Sequence, residues 1–479
     1  VFLGEYNFIM SNEMSTKIHK FVQNGMYILL DVNSGAVHVI DKMIYDIMDI
    51  FNGDNDNEVI SNFKSKYTEN DLKEALEELH ILMDKNQLFA PDIDVPPTFK
   101  AKGLVKSLCL MTAHDCNMRC KYCFGDTGEY GGERQLMDSK VGRAAVDYII
   151  EHSGPRKHCE IDFFGGEPLI NMPLVKDVTE YVRKREKETG KEFKLTLTTN
   201  GLALNDDNIK WLNDNNISLV LSTDGRKETH DNMRPDCGGQ PTYDKVMNNF
   251  KKCVDSRNGD NYYMRGTYTA ENLDFTKDVE AMADAGFDIL SMEPVVLKDS
   301  PYGLTEEMLP EIFAEYDRLT DFYLKRHRDG KGFFFFHFNM DLSNGPCVAK
   351  RLAGCGAGHE YYAVAANGDL YPCHQFVGRN KYKLGNVFDD LDEGAEEITR
   401  YFRESHVMNK ERCKTCWAKY FCSGGCHANA DLFHDDIRKP YEVGCEIQKK
   451  RLECAIAVQS VLSMEKIGKK EYKPATVNC

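Results

Sequence analysis

The sequence has no apolar run approaching the roughly 18 residues a membrane-spanning helix needs, and its start does not read as a signal peptide. Positive charge is scarce: 60 basic against 76 acidic side chains give a formal charge of −16. That balance argues against unspecific binding to nucleic acid or anionic membranes, both of which need clustered positive charge. Internal repeats and low-complexity segments are also lacking. These absences lead us to expect a cytoplasmic protein with neither nucleic acid nor membrane as partner.

Cysteine, by contrast, is abundant, with 17 in 479 residues. Disulfides in a secreted chain would be the ordinary explanation, but this chain is long and lacks an export signal. The cysteines are also uneven: one group lies at 116–123 and a denser one between 347 and 445. Clustering at ligand spacing points to metals in a reducing, oxygen-poor setting.

The pattern of apolar residues predicts several units. Residues 1–95 read as three short strands around the Asn24–Gly25 turn, followed by three helices, a winged-helix-like domain. DNA binding is disfavoured there, because the segment holds 7 Lys and no Arg against 17 Asp and Glu. An exposed strand edge beside a helix suits capture of an extended peptide instead. Pro91, Pro96 and Pro97 mark a linker.

Within 96–300, strands at 104–112, 158–164, 193–199, 218–222, 264–269 and 288–294 alternate with helices at 138–151, 173–189, 206–213 and 274–285. Repeated βα units imply an α/β fold, a parallel sheet curled into a partial (β/α)6 barrel with its chemistry at the carboxyl ends of the strands. A helical connector at 301–340 follows, in which Phe333 to Phe336 read as buried strand. The Cys-rich region occupies 341–460, with a closing helix at 446–462, and 461–479 is a tail.

The first cysteine group is Cys116-x3-Cys120-x2-Cys123, within C-N-M-R-C-K-Y-C-F, directly after the first strand. Three thiolates on one loop can hold three corners of a four-iron cluster and leave the fourth iron open to a small molecule. Gly165-Gly166-Glu167-Pro168 ends the next strand, and Thr198-Thr199-Asn200 and Ser222-Thr223-Asp224 end the two after it. Zinc is the alternative for the cysteines alone, although zinc sites favour paired C-x2-C elements. Together these motifs resemble the radical S-adenosylmethionine superfamily. The resemblance implies that Tyr122, Phe124, Gly165, Gly166, Glu167, Pro168, Thr198, Thr199, Asn200, Ser222 and Asp224 form the S-adenosylmethionine pocket. Arg234 would meet the cofactor carboxylate, a surface salt bridge being its plainer reading. The cofactor's cleavage would yield a deoxyadenosyl radical, with the protein supplying aim and exclusion of water.

The second field comprises Cys355, Cys373 within Gly368-x4-Cys373, the run Cys413-x2-Cys416-x5-Cys422-x3-Cys426, and Cys445. It is similar to SPASM domains, which bind two auxiliary four-iron clusters. The resemblance assigns Cys413, Cys416, Cys422 and Cys445 to a distal cluster, and Cys355, Cys373 and Cys426 to a nearer one. The nearer site's fourth ligand is either Cys347 or a substrate thiolate. Three 4Fe-4S clusters are thus expected. Zinc ribbons are again the alternative. Cys109, Cys159, Cys237, Cys253, Cys454 and Cys479 lack partner spacing, and His359, His374 and His427 read as neighbours of ligands.

The whole arrangement, including the segment from Gly345 to Gly358, resembles the maturases of six-cysteines-in-forty-five (SCIFF) peptides, which are sactionine synthases. That resemblance implies a thioether between a cysteine sulfur and the α-carbon of a threonine in a Cys-rich precursor peptide, held by its leader, with a reduced flavodoxin- or ferredoxin-type donor. Beyond the cofactor-bound clusters no catalytic side chain is required. A sulfatase-type maturase that oxidises Cys or Ser to formylglycine would share both cysteine fields. A non-catalytic iron–sulfur or zinc protein is the alternative of another class.

Overall fold

The computed structural model describes residues 17–93, 103–342, 352, 354–389 and 391–465. Cys347, Cys479 and the basic tail after 465 lie outside them.

The chain opens with an antiparallel sheet of β1 (Ile18–Gln23), β2 (Met26–Asp31) and β3 (Val37–Ile40), with β2 in the middle. Asn24 and Gly25 both take positive φ, 50° and 74°, the geometry a two-residue hairpin needs to match strand twist. Helices Lys42–Ile47, Asp56–Phe63 and Glu69–Asp84 follow. Asp41 and Thr68 cap the first and third by accepting from Ile44 N and Asp71 N.

One face of this sheet, with Ile18 and Leu29, packs on Phe51, Val59, Leu72 and Leu76 of the helical part. The other face, with Phe21, Ile28 and Leu30, packs on Phe421, Leu452 and Ile456 near the end of the chain. Burial of both faces explains why β2 reads as a continuous apolar run instead of alternating.

The main sheet has eleven strands. In chain order they are β4 (Ser107–His114), β5 (Gln135–Leu136), β6 (His158–Gly165), β7 (Glu192–Thr199), β8 (Ser218–Ser222), β9 (Tyr262–Tyr268), β10 (Ile289–Pro294), β11 (Phe334–Phe335), β12 (Tyr361–Val364), β13 (Asp369–Tyr371) and β14 (Gly385–Asn386). They lie in the order β11-β10-β9-β8-β7-β6-β4-β12-β13-β14, with β5 paired to β4. From β11 to β12 every pairing is parallel. The path does not return on itself, so the sheet is an open, partial barrel. Ile161, Phe163, Leu195, Leu197, Leu219 and Leu221 join the large core with the helices, among them Ser139–His152 and Met172–Thr189. The alternate residues Phe164, Thr198 and Ser222 line the cleft described below.

The structure departs from the sequence reading in four places. The sheet continues into the Cys-rich region, because β12 pairs in parallel with β4, Tyr361 opposite Ser107 through Val364 opposite Leu110. Helices Lys227–Met233 and Tyr243–Ser256, both between β8 and β9, had no counterpart in that reading. Of the four consecutive phenylalanines, Phe333 and Phe335 are buried, β11 covers two residues, and Phe336 is 54% exposed. The closing helix is longer, Glu442–Met464, and packs beside helix Leu309–Arg328. Among the described residues no helix is long and apolar enough to cross a membrane.

Candidate active site

The carboxyl ends of β4 to β10 open into a cleft of about 610 Å³. Cys116, Cys120 and Cys123 line it, as do Cys422, Cys426 and Cys445.

The first cysteine loop leaves β4 and is fastened on two sides. Gly166 N donates to Ala113 O at 2.8 Å and Glu167 N to Asp115 O at 3.0 Å. Arg119 N donates to Pro235 O at 2.8 Å and Lys121 N to Met233 O at 3.0 Å, which ties the loop to the segment carrying Arg234. The double glycine is required by space: a Cβ would lie 2.4 Å from Ala113 O at Gly165 and 2.1 Å from Asp115 O at Gly166. Gly165 also has φ +128°, which side chains rarely adopt.

Glu167 is 1% exposed, and both its oxygens are engaged. Oε1 accepts from Leu169 N (3.0 Å) and Thr199 Oγ1 (2.8 Å), and Oε2 accepts from Asn200 N (2.8 Å). Burial pushes its carboxyl up to about 7, against the pull of those hydrogen bonds. Glu167 therefore braces the end of β7 against the glycine turn. Asn200 in turn donates to Asn117 Oδ1 at 2.8 Å and reaches Cys116 Sγ at 3.6 Å.

Arg234 donates from Nε to Asp224 Oδ2 at 3.0 Å, and the Tyr122 hydroxyl lies 2.8 and 2.7 Å from the two oxygens of that carboxylate. The guanidinium carbon sits 5.4 Å from the centre of the Tyr122 ring. Arg234 is thus a buried, paired cation rather than a surface one. Tyr122 and Arg234 line the cleft, as do Phe124, Gly165, Gly166, Glu167, Thr198, Thr199, Asn200 and Ser222. Asp224 and Pro168 stand behind that lining, Asp224 under the arginine and Pro168 at the start of the short turn Pro168–Asn171. Phe124 joins an aromatic group, 6.4 Å from Phe164 and 5.6 Å from His374 between ring centroids.

The cysteines fall into three sets whose thiols influence one another: Cys116 with Cys120 and Cys123, Cys373 with Cys426 and Cys355, and Cys445 with Cys422, Cys413 and Cys416. Burial pushes Cys116, Cys120 and Cys445 up to about 12 and Cys413 to about 11. Held neutral by burial, these thiols need a cation to bind as thiolates, as iron does. Among the described residues no three His, Cys, Asp or Glu side chains converge closely enough to grip a single ion. All fifteen described cysteines are free. Cys109, Cys159, Cys253 and Cys454 are buried in the core and Cys237 is exposed.

The cleft also contains residues that the motifs did not mark. Arg265 and Thr267 come from β9, Glu293 from β10, His374 from the turn after Cys373, and Arg451 from the closing helix. Glu293 bonds His337 Nε2 and Arg451 Nη1, each at 3.2 Å; burial opposes ionisation, yet these two hold the carboxyl well below the usual carboxylate range. A charged residue at the carboxyl end of an apolar strand was the available signal for Glu293, whereas Arg265 lies in the middle of β9. His374 Nδ1 lies 3.0 Å from the Tyr361 hydroxyl. His359 and His427 are buried, bonded to Ala357 O and Ser405 O at 3.2 Å each.

Comparisons with known proteins agree with this arrangement. The sequence profile of the Radical SAM superfamily matches residues 110–279, and that of the SPASM iron–sulfur cluster-binding domain matches 355–417. The chain is 27% identical over 371 residues to the cysteine-type anaerobic sulfatase-maturating enzyme of Clostridium perfringens, covering 71% of this chain and 93% of that one. It is 22% identical over 367 residues to the radical SAM cyclopropyl synthase TigE of Paramaledivibacter caminithermalis, 72% of each chain. The solved structure of native anSMEcpe with bound AdoMet superposes with a TM-score of 0.62 at 22% identity, over 74% of this chain and 99% of that one. The chain therefore has the α/β fold of a radical S-adenosylmethionine protein, followed by a SPASM iron–sulfur domain.

Proposed function

We propose that the protein is a radical S-adenosylmethionine enzyme that joins cysteine sulfur to an α-carbon, that of threonine, in a ribosomally made, Cys-rich precursor peptide. The observation that carries this reading is one shared cleft, lined by the first cysteine loop and by cysteines of both later sets. A peptide in that cleft would touch all three.

On this reading Cys116, Cys120 and Cys123 hold the first cluster, and Tyr122, Gly166, Thr198, Asn200, Ser222 and Arg234 seat S-adenosylmethionine. When bound, the pair would supply a carbon radical that takes the α-hydrogen; the thiol would give up its proton as its sulfur joins that carbon, and the surplus electron would pass to the nearer auxiliary cluster. Cys355, Cys373 and Cys426 hold the nearer auxiliary cluster, completed by Cys347 or by the substrate's own sulfur. Cys413, Cys416, Cys422 and Cys445 hold the distal one. A reduced flavodoxin- or ferredoxin-type protein supplies electrons, and the setting is cytoplasmic, reducing and poor in oxygen.

Two features support crosslinking. Among the described residues that line the cleft, the carboxylates are Glu167 and Glu293, and both are already bonded. A substrate thiol deprotonated by binding to iron needs no carboxylate base. The small sheet at the start of the chain also presents β3 with β2 as its sole strand partner among the described residues, and Val39 exposed. Its free edge suits a leader peptide adding as a further strand.

Maturation of a sulfatase is the second reading, favoured by the similarity to sulfatase-maturating enzymes. Anaerobic incubation with each type of peptide, followed by tandem mass spectrometry, separates the two. Loss of two hydrogens per link, with sulfur retained, is expected of crosslinking; an aldehyde product would favour the second reading. Absence of 5′-deoxyadenosine would overturn both.

A further inference from the structure

The hairpin of β1 and β2 touches both chain segments that carry the distal cysteines. Cys413, Cys416 and Cys422 lie on one segment, and Cys445 lies on the closing helix Glu442–Met464. A group held by three ligands from one segment and one from another lasts only while the two stay together.

The contacts are specific on each side. The His19 ring lies flat on Trp417, between Cys416 and Cys422, with 3.9 Å between centroids and 4° between planes. The same ring's Nε2 is 2.8 Å from Glu453 Oε1 on the closing helix. Phe21, 6% exposed, shares a cluster with Phe421 of the first segment and Leu452 and Ile456 of the helix, and Cys416 and Cys422 pack against that cluster. At the hairpin's tip Gln23 donates to Asp317 at 2.7 Å and accepts from Lys450 of the closing helix at 2.8 Å. One face of one hairpin thus spans the joint.

We propose that the small sheet has a function besides offering the edge of β3: its β1–β2 hairpin clamps the two segments and seals the distal iron–sulfur group against solvent and chelators. The proposal rests on the reading that Cys413, Cys416, Cys422 and Cys445 hold such a group. Escape of iron requires the joint to open, and each contact across it lowers the population of the open form.

The test uses the full chain with its clusters reconstituted without air, mixed with a ferrous chelator and followed by visible absorbance and released iron. His19→Ala should speed release of one cluster roughly two- to tenfold, the scale of a lost aromatic contact. Phe21→Ala should speed it at least roughly tenfold, as a large-to-small change in a core does. In both, 5′-deoxyadenosine formation should stay at the unmodified rate, because the first cysteine loop lies elsewhere. Val39→Ala, on the exposed edge of β3, should leave release unchanged. Unchanged release in His19→Ala overturns the clamp, and this variant decides the matter if Phe21→Ala does not fold. Equal acceleration by Val39→Ala also overturns it. A Cys445→Ala protein that binds as much iron as the unmodified chain would instead overturn the assignment of the distal site itself.

Discussion

Arg234 and Asp224 are paired in the interior, Nε to Oδ2 at 3.0 Å, and the Tyr122 hydroxyl donates to the same carboxylate. The cation that faces the cleft is therefore aimed by a partner that does not line it. Removing the partner leaves a buried charge alone, which costs about 3–5 kcal/mol. Asp224→Ala should lower the urea midpoint accordingly and weaken S-adenosylmethionine binding by at least about tenfold, measured by calorimetric titration. An unchanged midpoint would contradict the pairing.

The glycine turn is equally open to test. An alanine at Gly166 would place its Cβ 2.1 Å from Asp115 O, beside the first cysteine. Backbone cannot yield as a flexible side chain would, so the loop must shift. Gly166→Ala should lose iron from the first site and reduce 5′-deoxyadenosine formation at least about tenfold. Gly132→Ala, whose Cβ meets Glu129 O at 3.5 Å, should be tolerated.

Glu167 predicts a pH effect on stability. Its carboxyl rises on folding from the ordinary 4.5 to about 7. The folded chain thus holds this proton more tightly than the unfolded one, so the contribution is complete below about 4.5 and is lost as pH rises through about 7. The effect is on the order of 1–3 kcal/mol. Glu167→Gln, with no proton to lose, should show a flatter denaturant midpoint across that window. Parallel profiles in the two proteins would refute the linkage.

On the proposed reading, a change at Cys373 should separate cofactor cleavage from product formation. It is buried beside Cys355 and Cys426 and distinct from the first loop. Cys373→Ala should still release 5′-deoxyadenosine while crosslinked peptide falls to background in mass spectra. A normal yield of crosslink would remove the nearer cluster from the reaction.

The parts of the structure most legible in the sequence were those with a local cause. Apolar runs ending in polar residues located six strands of the sheet, and Cys, Gly-Gly and Thr-Asn at their ends marked part of the cleft lining. Asn24–Gly25 announced its hairpin through positive φ alone. What stayed hidden depended on partners far along the chain. The four residues of β12 become a strand because β4 offers its edge, and nothing in Y-Y-A-V reveals that. Arg451 reaches the cleft because the closing helix passes there, so its neighbours in sequence give no hint. The resemblance places Glu167 at the cleft, but its bonds to Leu169, Thr199 and Asn200 show only once the chain is folded.

Hydrogen bonds from Tyr361–Val364 to the strand that feeds the first cysteine loop have a dynamic consequence. Cys116 and Cys373 are mounted on the same slab of backbone, since β12 continues through a tight antiparallel turn into β13, two residues before Cys373. Continuous strand pairing joins the two cysteine positions, from β4 through β12 to β13. If the proposed crosslinking holds, the acceptor carbon and the donor sulfur are brought into register by the slack in the peptide itself, and the length of chain between them becomes a determinant of which residues are joined.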